Sequence, residues 1–232
     1  MREIENNIEN ILQRIKTKCD SAGRNISEIT LVAVSKLHSI EEIKIASKFG
    51  LINFGENKAQ ELDEKFKYLG KELNWHFIGH LQSNKVKTVV PIADLIHSVD
   101  STKLAEEINK RAQNIDKVQK ILLEVKTSDE ISKYGIQDFD SLVKIIEYCK
   151  NLPNIRILGL MTMAPFTENE TIIRNSFKKL ANFKKLLIDK GFDFQHLSMG
   201  MTGDFEIAIE EGATILRIGT AIFGERNYLL NK

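Results

Sequence analysis

Cysteine, proline and tryptophan are scarce in this sequence of 232 residues, and neither sign of charge dominates it. The 2 cysteines, Cys19 and Cys149, lie far apart in helix-like segments. They supply neither a disulfide framework nor a zinc pattern, and both read as buried or half-buried thiols in a reducing compartment. With 33 Lys and Arg against 32 Asp and Glu, no overall basic field exists to collect nucleic acid or an anionic membrane, so an anionic ligand must be held locally. The polar, acidic start Met1-Arg2-Glu3-Ile4-Glu5-Asn6 lacks the form of a signal peptide, and no run of about eighteen apolar residues would span a bilayer. A cytoplasmic protein is expected, and the sequons at Asn25 and Asn169 are then chance matches. Only 3 prolines interrupt the chain, and no Gly/Ser-rich linker or composition shift marks a boundary, so one domain over residues 1–232 is the simpler reading.

What the chain does contain is alternation. Hydrophobic residues are 42% and charged residues 28%, a balance suited to a folded chain with a substantial core. An amphipathic helix at Ile4–Cys19 puts Ile4, Ile8, Ile11, Leu12 and Ile15 on one face, and short apolar runs then alternate with longer helical patterns. The strand candidates are Thr30–Ser35, Ile52–Gly55, Trp75–Ile78, Leu95–Val99, Lys120–Val125, Ile155–Met163, His196–Met199 and Ile215–Ile218. Between them fall helical patterns at Ile40–Phe49, Lys58–Leu69, Ser83–Val90, Thr102–Gln113, Phe139–Cys149, Glu170–Lys190 and Phe205–Glu210. Ser39, with Glu42 three residues on, and Ser101 have the form of N-caps. Runs such as Leu31-Val32-Ala33-Val34 are apolar on consecutive residues, as in a parallel strand covered on both faces. Eight βα units predict a single (β/α)8 TIM barrel of the α/β class with an extra N-terminal helix. The rival Rossmann-like sheet lacks a GxGxxG after the first strand.

In such barrels ligands lie at the C-terminal ends of the strands, and those ends are polar here. Strand parity gives Lys36 the facing of Val32 and Val34, which puts it at the barrel mouth. Limited access to water there favours the neutral, nucleophilic amine that imine formation needs. The turn Ser198-Met199-Gly200-Met201-Thr202-Gly203-Asp204 offers backbone N–H groups to an oxyanion or phosphate, and Gly219-Thr220 leads into Ala221-Ile222-Phe223, a candidate for the short extra helix of barrel phosphate sites. His76 and His80 are four apart but bracket a strand end without a third ligand. No metal is expected, and His76 reads as a hydrogen-bonded interior residue.

The motifs Val32-Ala33-Val34-Ser35-Lys36, Phe54-Gly55-Glu56-Asn57 with Gln60-Glu61, Trp75-His76-Phe77-Ile78-Gly79-His80-Leu81-Gln82-Ser83-Asn84-Lys85 and His97-Ser98-Val99-Asp100 occur in order. Gly159-Leu160-Met161-Thr162-Met163-Ala164-Pro165, Leu197-Ser198-Met199-Gly200-Met201 and Arg217-Ile218-Gly219-Thr220-Ala221-Ile222-Phe223-Gly224 follow. Together they resemble the YggS/PROSC family of pyridoxal 5′-phosphate (PLP) homeostasis proteins, similar to the barrel domain of alanine racemase, across essentially the whole chain. The resemblance implies PLP held as a Schiff base on Lys36. It also implies phosphate contacts from the Ser198–Thr202 turn (Ser198, Gly200, Thr202) and from Gly219 and Thr220, a pocket lined by Asn57 and His80, and Arg217 near the pyridine nitrogen. Lys126, where the family often carries Asn, would add a second amine near the mouth.

An arginine at the pyridine nitrogen disfavours ring protonation and weakens the ring as an electron sink. Alanine racemase also uses a tyrosine from a second domain as acid/base. Of Tyr68, Tyr134, Tyr148 and Tyr228, Tyr134 alone is placed to reach a mouth. The leading reading is therefore a monomeric PLP carrier that limits free aldehyde and supplies apo-enzymes, with no catalytic residue assigned. An amino-acid racemase is the alternative. A nucleic-acid role would rest on the basic helix Phe177–Leu187, whose Phe177, Leu180, Ala181, Lys184 and Leu187 have the spacing of a helix packed on a barrel instead.

Overall fold

The computed structural model describes residues 2–128 and 134–225; Tyr228 lies outside the described residues. Eight strands follow one another: β1 (Thr30–Val34), β2 (Asn53–Glu56), β3 (Asn74–Phe77), β4 (Leu95–Val99), β5 (Gln119–Glu124), β6 (Ile155–Met161), β7 (His196–Ser198) and β8 (Ile215–Ile218). They pair in parallel in sequence order, and β8 closes on β1 through Thr30–Ile215 to Ala33–Ile218, making a closed barrel. The helices are α1 (Arg2–Ser21), α2 (Ile40–Lys48), α3 (Ala59–Leu69), α4 (Val86–Val89), α5 (Thr102–Gln113), α6 (Phe139–Cys149), α7 (Glu170–Asp189), α8 (Phe205–Glu210) and α9 (Thr220–Phe223). The TIM-barrel expectation is met, with α1 as the extra N-terminal helix.

Strand parity divides the interior into two environments. Residues such as Ala33, Phe54, Trp75, Ile121, Leu160 and Leu216 face outward and pack in one core with the helices. Inside the barrel, Val32, Leu95, Leu122, Met161 and Ile215 form a separate apolar cluster. Two residues further along their strands, towards the mouth, come His97, Glu124 and Arg217. The apolar plug therefore lies beneath a polar layer.

Local signals explain several helix starts. Ser39 accepts from the Glu42 N–H while the Glu42 side chain accepts from Ser39, so α2 begins in a capping box. Ser101 caps α5 and Asp138 caps α6. The expected helix at Ser83–Val90 splits into a 3-10 turn at Ser83–Lys85 and the short α4. On α1 the buried stripe is Ile4, Ile8, Ile11, Ile15 and Cys19, packed against α2, α8 and α9. Each isoleucine in it contributes about 2 kcal/mol of apolar burial. Leu12 falls off this stripe and stays exposed.

Cys149 is also buried, and burial raises both thiols, Cys149 to about 11. On α7, Phe177, Leu180 and Leu187 are fully buried, and Lys184 Nζ donates to the Gln195 carbonyl. This face of the basic helix packs on the barrel. Among the described residues, no helix is long and apolar enough to cross a membrane.

Candidate functional site

At the C-terminal end of the barrel a cavity of about 530 Å³ is lined by Val34, Lys36, Asn57, Ile78 and His80 on one side. Met201–Asp204, Gly219 and Thr220 line the other, with Glu124 and Arg217 also contributing. Lys36 reaches it because β1 ends at Val34 and the chain turns, with the His38 N–H donating to the Ser35 carbonyl. The lysine is half-buried. Asn57 follows β2, and Gly79 lets the neighbouring chain approach closely: a Cβ at Gly79 would sit 2.3 Å from the Asn57 carbonyl oxygen. His80 lies at the exposed rim, stacked on Tyr134 with ring centroids 3.7 Å apart.

The floor is cationic. Arg217 is 4% exposed; its Nη1 donates to Ser198 Oγ at 2.6 Å and its Nη2 to the Thr162 carbonyl at 2.9 Å. Burial lowers its pKa to about 10 despite the attraction of Asp204 and Glu124, so it stays charged at neutral pH. The Thr162 carbonyl, thus engaged, lies just beyond the end of β6 at Met161, two residues short of the expected strand end.

Beneath the arginine runs a chain of buried hydrogen bonds. Ser198 Oγ lies 2.9 Å from His97 Nδ1, His97 Nε2 lies 2.9 Å from His76 Nδ1, and His76 Nε2 lies 3.3 Å from Asn53 Oδ1. Asn53 Oδ1 also accepts from Asn74. One arrangement of protons satisfies every partner. Arg217 donates to Ser198, the serine hydroxyl donates to His97 Nδ1, His97 Nε2–H donates to His76, and His76 Nε2–H donates to Asn53. Both imidazoles must then be neutral. Desolvation enforces this: it lowers His76 to about 4, assisted by His196, and drives His97 well below its ordinary value, assisted by His76 and Arg217. His76 is the hydrogen-bonded interior residue expected from the sequence, and His97 and Asn53 are its partners.

On the opposite wall two turns are tied together. Asp204 Oδ1 accepts from the Met201 N–H at 2.5 Å, and Thr202 Oγ1 accepts from the Ala221 N–H at 3.3 Å. Among the described residues the backbone N–H groups of Thr202, Gly203 and Thr220 donate no hydrogen bond. They border the same cavity as Lys36, which suits an anionic ligand group.

Of the residues singled out from sequence, Lys36, Asn57, His80, Thr202, Arg217, Gly219 and Thr220 meet at this cavity. Ser198 and Gly200 do not line it. Ser198 is fully buried in the hydrogen-bonded chain below the floor. Gly200 is buried with φ +94°, and its carbonyl accepts from the Arg217 N–H. Lys126 is also absent from the lining: its N–H donates to the Ile136 carbonyl, where the chain after β5 bridges to residue 136.

Sequence reasoning passed over Glu124, the carboxyl that ends β5 in the cavity wall. Its parity with Leu122 carried the signal. Desolvation, with Asp100, raises it to about 7 against the pull of Arg217.

Comparison with known proteins agrees with this architecture. Residues 5–227 match the family described as alanine racemase, N-terminal domain. The chain is 44% identical over 223 residues to the pyridoxal phosphate homeostasis protein of Aquifex aeolicus, covering 95% of this chain and 97% of that protein. It is 36% identical over 237 residues to the protein of the same name from Escherichia coli, covering 98% and 99% of the two chains. Among solved structures, PipY of Synechococcus elongatus with PLP bound aligns with a TM-score of 0.81 at 33% identity, over 92% of this chain and all (100%) of that one. Alanine racemase of Clostridium difficile aligns with a TM-score of 0.77 at 16% identity, over 97% of this chain but 57% of its own, a likeness of fold alone.

Proposed function

The chain belongs to the pyridoxal phosphate homeostasis protein family, whose barrel is that of the alanine racemase N-terminal domain, and from that premise we propose that it holds PLP as a Schiff base on Lys36. In this role it limits the free aldehyde and supplies the cofactor to apo-enzymes. The observation that carries the reading is one cavity bordered by the Lys36 amine, the charged Arg217 and the N–H groups of Thr202, Gly203 and Thr220. An amine, a fixed cation and a set of amides that donate no hydrogen bond among the described residues match the aldehyde, ring and phosphate of PLP. That the relative PipY has PLP bound supports PLP as the ligand.

When bound, PLP supplies an aldehyde carbon that condenses with a primary amine, releasing water, and is freed when water adds back. The chain's own residues do the rest. Lys36 provides the amine, and Thr202, Gly203, Gly219 and Thr220 orient the phosphate through their turns. Asn57 and His80 close one side. Arg217, charged and held from below, disfavours a proton on the ring nitrogen, which keeps the site a holder instead of a carbanion-forming enzyme. Ser198 and Gly200 act through Arg217. A monomer working in the cytoplasm completes the proposal.

The absorption spectrum of the purified protein, borohydride reduction and peptide mapping test it. A yellow PLP-loaded protein, labelled at Lys36 and colourless as Lys36→Ala, is expected. A reduced adduct mapping to another lysine overturns it. Incubation with L-amino acids in deuterated water is expected to give no sustained Cα exchange, whereas exchange at enzymatic rates would establish racemase turnover.

A further inference from the structure

Behind Lys36, between β1, β2 and α3, three charged side chains have no part in the cavity. Glu56 is 0% exposed and Lys65 5%. Lys65 Nζ donates to Glu56 Oε1 at 2.7 Å, to Glu61 Oε1 at 2.7 Å and to the Ser35 carbonyl at 2.6 Å. Glu61 Oε1 also accepts from the Leu37 N–H at 2.5 Å, and the Ser35 hydroxyl donates to Glu56 Oε1 at 2.6 Å. The residues on both sides of Lys36 are therefore gripped by one cluster. Leu37 has φ +66°, a backbone region that leucine avoids and adopts only when its surroundings impose it.

Stability is a poor reason for such a cluster. Burying charges carries a desolvation cost that their attraction often fails to recover, and apolar replacements of similar volume are often as stable. The cost is visible here: desolvation pushes Glu56 up to about 7 despite Lys65, and its Oε2 is buried with no partner among the described residues. What the cluster does accomplish is geometric, since among the described residues its side-chain hydrogen bonds outside itself fall on Ser35 and Leu37.

We propose that Glu56, Lys65 and Glu61 are positioning residues for Lys36: they lock the Ser35–Leu37 backbone in the turn that sends the Lys36 side chain into the cavity. This rests on the reading of Lys36 as the PLP-bearing lysine. Glu61 is the accessible handle, because its removal leaves the Glu56–Lys65 pair in place. Glu61→Gln keeps an acceptor for Leu37 N–H, Glu61→Asp draws the acceptor back by one methylene, and Glu61→Ala removes it.

Three measurements on the full chain test the proposal. They are hydrogen exchange at the Leu37 amide in PLP-free protein, the rate at which added PLP is captured, and the denaturation midpoint. Glu61→Ala and Glu61→Asp are expected to expose the Leu37 amide and to slow capture about tenfold or more, the scale that a misplaced reacting group loses. Glu61→Gln is expected to stay within about threefold of the parent, as a retained hydrogen bond allows. Capture at the parent rate by Glu61→Ala, or a loss that follows the denaturation midpoint across all three variants, overturns the positioning role. The amide exchange needs no cofactor, so a lock on Leu37 seen there together with PLP bound elsewhere would refute the Lys36 reading and leave the clamp standing.

Discussion

Ser198→Ala separates two accounts of the same hydroxyl. In the local account Ser198 belongs to a phosphate-binding turn, so its loss weakens PLP binding and leaves the cofactor-free fold alone. In the structure its Oγ accepts from Arg217 Nη1 at 2.6 Å and faces His97 Nδ1 at 2.9 Å, fully buried. Truncation strands one guanidinium N–H and one imidazole nitrogen, on side chains that are 4% and 0% exposed. A buried group left unsatisfied costs about 1–3 kcal/mol, more when charged, so the pair should cost about 3–5 kcal/mol. For a chain of this size about 1 kcal/mol moves Tm by 2–4 °C, which makes the expected fall on the order of 10 °C. Thermal and urea denaturation of cofactor-free protein, followed by PLP titration, read both effects. A variant that melts within about 2 °C of the parent, well under that fall, would refute the buried-relay reasoning whatever its PLP affinity.

Glu124 gives a test by pH. Its carboxyl titrates at about 7 when folded, against an ordinary value of 4.5, so the folded state binds the extra proton between those values. Its stability contribution is complete below about pH 4.5 and is lost as pH rises through about 7. Glu124→Gln cannot ionise. Each pH step of one between the two values is worth about 1.4 kcal/mol, so the variant's stability relative to the parent should improve by up to about 3 kcal/mol between pH 5 and 8. An advantage that does not change with pH in urea midpoints contradicts the assignment. His76 works in the opposite sense, with about 4 when folded against 6.5. Its contribution is present above about 6.5 and is lost as pH falls towards 4, so His76→Gln should flatten the acid limb of the stability curve, and an unchanged limb argues against a neutral relay. Gly200→Ala should lose more than about 3 kcal/mol, since φ is +94° and the new Cβ would lie 2.6 Å from the Ala208 Cβ. An unaltered melting temperature would show that the turn relaxes.

The barrel was legible because its signals are local. A short run of consecutive apolar residues marks a strand covered on both faces, spacing of three and four marks a helix, and the strand limits at Leu95–Val99 and Ile215–Ile218 coincide with those read from sequence. Lys36 was legible for the same reason, as the next inward position after Val32 and Val34. The relay and the clamp were not, because apart from Glu61 and Lys65, four apart on α3, their members share no spacing. His97 meets Ser198 101 positions away, Arg217 meets Thr162 55 away, and Lys65 reaches Ser35 30 away. Lys126, expected near the mouth from the family resemblance, follows the bridge between Val125 and Ile136 and does not line the cavity.

Ser198 misled in the other direction, through its nearness to Gly200. A serine two residues before a glycine turn reads as part of the turn, yet on an inward-facing strand two residues are one level of the barrel. That level is set by the partner strand: Ser198 pairs with Ile215, so its hydroxyl stands where the Arg217 side chain can reach it from the next inward position of β8. Gly219, one inward position further, is the level of the cavity. The same two-residue step that carries Val34 to Lys36 thus separates a residue that holds the floor from one that only borders the cavity. In a closed parallel barrel, the depth of a polar residue is read from its ladder partner before it is read from its neighbours in sequence.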